Sequence, residues 1–140
     1  MKKYFKTQLI TILSILTIGG ELFAAPANQA PITELKDQSA EQAVFTDATK
    51  TKPIVLKSLK DGEKYFGKEA LAAISKSVDF EKQIVLIFAW KGSGQDRLPY
   101  IVLESFPEQI KFSFVKGLTK DLRPHVKVFV LRSNVKWTVE

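Results

Sequence analysis

Hydrophobic positions follow three rhythms along this chain, and each predicts a different kind of element. Gln83–Trp90 is apolar on both alternating faces, the pattern of a central strand covered on both sides. Gln109–Val115 alternates, with Ile110, Phe112 and Phe114 on one face and Lys111 and Ser113 on the other, which predicts a half-buried strand. Phe66, Ala70, Ala73 and Ile74 fall on one helical face behind Asp61 as a candidate N-cap, predicting a helix over Gly62–Lys76. Gly67 inside that span costs about 1 kcal/mol relative to alanine in a helix interior.

The remaining apolar runs also read as strands: Ile54–Leu59, Leu98–Phe106, His125–Arg132 and Val135–Val139, with Val135, Trp137 and Val139 on a shared face. About six strands with short connections and one early helix predict an α+β, mainly β domain over residues 53–140: an antiparallel sheet with the helix packed on a face. The core is expected around Ile84, Leu86, Phe88, Phe112, Val128 and Val130. Residues 28–52 hold few large apolar side chains and are expected to form a polar, disordered spacer.

The first residues carry a different signal. Lys2, Lys3 and Lys6 precede an apolar run from Leu9 to Ile18, followed by Gly19, Gly20 and the small residues Ala24, Ala25 and Ala27. This order predicts a secretory signal peptide over residues 1–27, with cleavage after Ala25-Pro26-Ala27. The run is about half of the roughly 20 residues that span a bilayer, so no membrane span is expected after cleavage. The product is then exported, to the periplasm or beyond.

Composition narrows the chemistry. The chain has no cysteine, which excludes disulfides, thiolate metal sites and a thiol nucleophile, so an exported domain depends on its apolar core. The net charge of +6 falls to +4 without the leader. The excess lies in Gln109–Glu140, where Lys111, Lys116, Lys120, Arg123, Lys127, Arg132 and Lys136 face only Asp121 and Glu140. Such a surface suits an anionic polymer or an acidic envelope protein, and it equally suits solvated strand faces. No nucleic-acid partner is expected.

Two polar segments interrupt the strands with unusual residue combinations. In Trp90-Lys91-Gly92-Ser93-Gly94-Gln95-Asp96-Arg97, the glycines permit positive φ or close backbone approach, so that several N–H groups converge. The segment lacks the Gly-Lys-Ser/Thr ending of a phosphate-binding loop, and a hairpin turn explains it as well. The second segment is Leu118-Thr119-Lys120-Asp121-Leu122-Arg123-Pro124-His125, where Asp121 or Asp96 is expected to pair with Arg123. The candidate binding residues are Trp90, Gly92, Ser93, Gly94, Gln95, Asp96, Asp121, Arg123 and His125. Ser93, the single His125 and an aspartate supply the parts of a Ser-His-Asp triad, but Ser93 is not in a Gly-x-Ser-x-Gly elbow. No metal-ligand spacing is present, and no cofactor is expected.

The run Ser77-Val78-Asp79-Phe80-Glu81-Lys82-Gln83-Ile84-Val85-Leu86, following a strand and a helix, resembles the C-terminal domain of the bacterial protease-complex subunit PrcB. There the glycine loop carries Gly-Tyr, where this chain has Gly92-Ser93-Gly94-Gln95. Ile54–Val139 is also similar to exported bacterial proteins sharing a Trp-x-Gly-Ser-Gly-Gln-Asp loop and an Asp-Leu-Arg-Pro-His segment. These resemblances imply a small, non-catalytic accessory domain and carry over no catalytic residue.

Overall fold

The structure, a computed structural model, describes residues 29–140. The leader expected over residues 1–27 and its cleavage site lie outside the described residues.

Strand β3 (Gln83–Gly92) pairs antiparallel with β6 (Arg123–Arg132) along its whole length, from Gln83↔Arg132 to Gly92↔Arg123. Strand pleating sends alternate side chains to opposite faces, and both faces of this pair are apolar. Val85, Ile87, Ala89, Val128 and Val130 are buried on one side; Leu86, Phe88, Trp90, Phe129 and Leu131 are buried on the other. Strand β2 (Ile54–Leu56) borders β3 and strand β1 (Ile32–Leu35) borders β6, giving the sheet order β1-β6-β3-β2.

A second sheet of β4 (Tyr100–Leu103), β5 (Gln109–Phe112) and β7 (Lys136–Val139) covers one face. Its β4–β5 pair is antiparallel and its β5–β7 pair is parallel. The two sheets meet in an aromatic cluster, with ring centroids 5.0 Å apart for Phe88–Phe112, 5.1 Å for Phe112–Phe129 and 5.6 Å for Tyr100–Phe129. Tilted and edge-to-face pairs of this kind add about 0.5–1.5 kcal/mol each beyond their burial. The other face is aliphatic and is covered by helices α1 (Val44–Asp47) and α2 (Lys68–Ser77), with Phe66 beside them.

The α+β, mainly β class is therefore as the sequence predicts, and its strands divide between two sheets. Ile110, Phe112 and Phe114 share the aromatic side, as do Val135, Trp137 and Val139. No helix among the described residues is long and apolar enough to cross a membrane.

Three local expectations need correction. Part of the stretch expected to be a disordered spacer belongs to the fold: β1 pairs with Val128–Leu131, Glu34 accepts from Lys127 Nζ at 2.7 Å, and Val44 is fully buried. The partners are distant in sequence, β6 for β1 and Tyr65 and Phe66 for Glu41 and Ala40, which local composition does not reveal. The helix begins at Lys68, after Gly67 in extended conformation, so the glycine marks the helix boundary. Asp61 does not cap that helix. Its carboxylate accepts from the Lys57 and Ser58 amides, both at 3.0 Å, and closes the turn after β2.

Candidate functional site

Full-length pairing of β3 with β6 places their polar extensions side by side at one end of the sheet. The register sets Trp90 opposite His125 and Gly92 opposite Arg123. The loop leaving β3 and the loop entering β6 then meet and are joined by several hydrogen bonds.

Asp96 is the first anchor. Its Oδ2 accepts from the Trp90 indole Nε1 at 3.1 Å and its Oδ1 accepts from the Gly117 amide at 2.7 Å. The Gly117 N–H is the main influence holding this carboxyl below the ordinary aspartate value, helped by the Trp90 N–H and opposed by burial. Asp121 is the second anchor. Its Oδ1 accepts from the Gly94 amide at 3.1 Å and its Oδ2 from Arg123 Nε at 2.6 Å. The Thr119 hydroxyl, the Gly94 N–H and Arg123, in that order, hold the Asp121 carboxyl far below its ordinary value.

The Ser93 and Thr119 hydroxyls lie 2.5 Å apart and share a hydrogen bond between the two loops. The Gln95 side-chain oxygen accepts from the Leu118 amide at 3.3 Å, and a reciprocal main-chain pair joins Arg97 to Val115. The expected Asp121–Arg123 pair is present, while Asp96 turns to Trp90 and Gly117.

Glycine here provides space. No glycine among the described residues has positive φ, which corrects one of the two roles expected for Gly92 and Gly94. A Cβ on Gly92 would lie 2.2 Å from Asp96 Oδ2, and one on Gly94 would lie 2.6 Å from Asp121 Oδ2.

Trp90 and His125 pack against each other at the base of the clasp. Trp90 is buried, stacks on His125 with centroids 4.8 Å apart and meets Phe114 edge-on. His125 Nε2 lies 2.7 Å from the Ser93 carbonyl oxygen. A carbonyl only accepts, so this nitrogen carries a proton and donates. Ser93 and His125 are thus adjacent through the main chain, while the Ser93 hydroxyl is turned to Thr119. Ser93 and His125 are therefore not paired as nucleophile and base. Among the described residues no three His, Asp or Glu side chains are grouped to hold a metal ion.

Beside the clasp, between the α1 end of the chain and the end of β3, lies a groove of about 740 Å³. Phe45, Trp90 and Phe114 contribute to its walls, and Lys50, Lys91 and Lys116 also line it. Lys50 Nζ sits 4.3 Å from the Phe114 ring centre and Lys91 Nζ sits 5.5 Å from that of Phe45. Sequence reasoning singled out neither Gly117 nor the groove residues of the 28–52 stretch. Nothing local marks Gly117 or Lys50.

Comparisons with protein-family models, with curated proteins and with solved structures found no match.

Proposed function

We propose that this chain is an exported, non-catalytic binding or accessory domain whose recognition surface is organised by loops 91–97 and 118–125. The observation that supports this reading most is the contrast between clasp and groove. The clasp groups bond one another, while Lys50, Lys91 and Lys116 beside it form no salt bridge among the described residues. A concave site with apolar walls and unpaired cations suits a ligand with negative charge and an apolar part, such as a segment of an acidic envelope protein or an anionic polymer.

The clasp fixes the groove wall before any ligand arrives, which lowers the ordering cost of binding. Export rests on the leader sequence, and the accessory role agrees with the resemblances carried by Ser77–Leu86 and by the two loop motifs.

Trp90 emission provides the test once Trp137 is replaced by phenylalanine. Titration with polyglutamate or dextran sulfate should give a saturable change that weakens with salt. Lys50→Ala with Lys91→Ala should weaken it further at an unchanged melting temperature. No change at low ionic strength with either probe would remove the groove from the account.

A further inference from the structure

The loop joining β5 to β6 presents a second surface, outside the groove. Its polar groups turn inward: the Gly117 and Leu118 amides, the Thr119 hydroxyl and the Asp121 carboxylate are all engaged with the β3 loop. Its two leucines turn outward. Leu118 is 93% exposed and Leu122 is 75% exposed, and Val115 beside them is also exposed. Large apolar side chains held in water by a loop that is tied down by hydrogen bonds to its neighbour call for an explanation.

The charges around them indicate what that surface meets. Four of the seven basic residues in Gln109–Glu140 are paired: Lys111 with Glu140, Arg123 with Asp121, Lys127 with Glu34 and Arg132 with Glu108. Of the other three, Lys116 and Lys120 flank Leu118 on this loop and have no carboxylate partner among the described residues. Arg97, exposed and bonded through its main chain to Val115, lies beside Leu118 in the same depression. The one carboxylate of the loop, Asp121, is already neutralised by Arg123.

The other protruding apolar loop has the opposite setting. Phe106 is fully exposed but stands between Glu104 and Glu108. Among the described residues, the Leu118–Leu122 loop joins the two most exposed leucines to a cationic collar. That pairing suits the interface of an anionic bilayer, where apolar side chains enter the acyl boundary and lysines meet lipid headgroups. A convex tip also needs no preformed pocket in its partner when that partner is a deformable lipid surface.

We propose that this loop docks the domain reversibly on anionic membrane surfaces through Leu118 and Leu122, with Lys116 and Lys120 on the headgroups. Lys116 borders the groove as well, whereas Leu118, Lys120 and Leu122 do not line it, so changes at these three test docking separately from groove binding.

The absence of cysteine allows a single reporter to be placed on the full chain. An environment-sensitive dye on Leu118→Cys should shift to the blue with phosphatidylglycerol–phosphatidylethanolamine vesicles and stay unshifted with phosphatidylcholine vesicles. The same dye on Phe106→Cys should not respond to either. In co-sedimentation of unlabelled protein, each of Leu118→Ser and Leu122→Ser should lower partitioning about tenfold. Each of Lys116→Ala and Lys120→Ala should lower it about fivefold. Both pairs replace exposed side chains, and a leader contribution is common to wild type and variants.

Three outcomes would overturn the proposal. They are an unshifted dye at position 118 with anionic vesicles, an equal shift with phosphatidylcholine, and sedimentation unaltered by the leucine changes. Concentration-dependent dimerisation that Leu118→Ser abolishes, without vesicle binding, would assign the tip to a second copy instead.

Discussion

The middle of the β3–β6 pair and its far end are closed by different chemistry. In the middle, Val85 to Ala89 are fully buried and contribute area to two apolar layers. At the end, from Trp90 onward, closure depends on two aspartates, three backbone amides, two hydroxyls and one guanidinium at fixed separations. Burial is non-directional and follows from the kind of side chain present. Hydrogen-bonded closure is directional and also depends on atoms that must be absent, such as the Cβ atoms of Gly92, Gly94 and Gly117. The middle should therefore govern global stability, and the end should govern local shape.

The largest effect expected from this contrast is in the middle. Phe88→Ala empties the centre of the aromatic cluster and should cost roughly 3–5 kcal/mol in denaturant unfolding. A loss below about 1 kcal/mol would mean that the sheet–sheet layer is peripheral to stability.

Next comes Gly117→Ala. A Cβ there would stand 2.7 Å from the Gln95 backbone carbon, a clash that no rotamer change relieves. Overpacking of this kind costs about 1–3 kcal/mol. Melting of the variant, with Ser113→Ala on the neighbouring strand end as a control, measures the difference.

A smaller effect is expected from acid. The depressed pKa values of Asp96 and Asp121 mean that the folded chain binds these protons less readily than the unfolded chain. Their contribution is complete above the ordinary aspartate value of 3.8 and is lost as pH falls below it. Acid unfolding should accordingly start at lower pH in wild type than in Asp121→Asn. Superimposable acid transitions would show that the Asp121 contacts do not persist in solution.

Arg123→Ala should have the least effect on melting temperature, because the guanidinium is 70% exposed and its ion pair is screened by water.

Much of the middle was legible in the sequence, and only half of the end. The unbroken apolar run Gln83–Trp90 identifies β3 as a doubly covered strand, and His125–Arg132 reads as an apolar strand that became β6. The clasp residues Gly92, Gly94, Asp96, Asp121 and Arg123 stood out as polar intrusions between strands, but their convergence depends on the β3–β6 register. Gly117 and Thr119 lacked any mark of their own, because a glycine and a threonine in a polar loop are ordinary until a partner loop lies against them. Strand β1 escaped for the same reason: Ile32–Leu35 becomes a strand only through its non-local pairing with β6.

Amide hydrogen exchange at Gly94 and Gly117 tests most directly whether the two loops form one locked unit. The Gly117 amide donates to Asp96 and the Gly94 amide to Asp121, so the two bonds share no acceptor. Both amides should be protected in the wild-type chain, and Asp96→Ala should release both, because loss of one anchor opens the whole clasp. Free-loop exchange rates at these glycines in the wild type, or Gly94 protection unchanged in Asp96→Ala, would contradict the account.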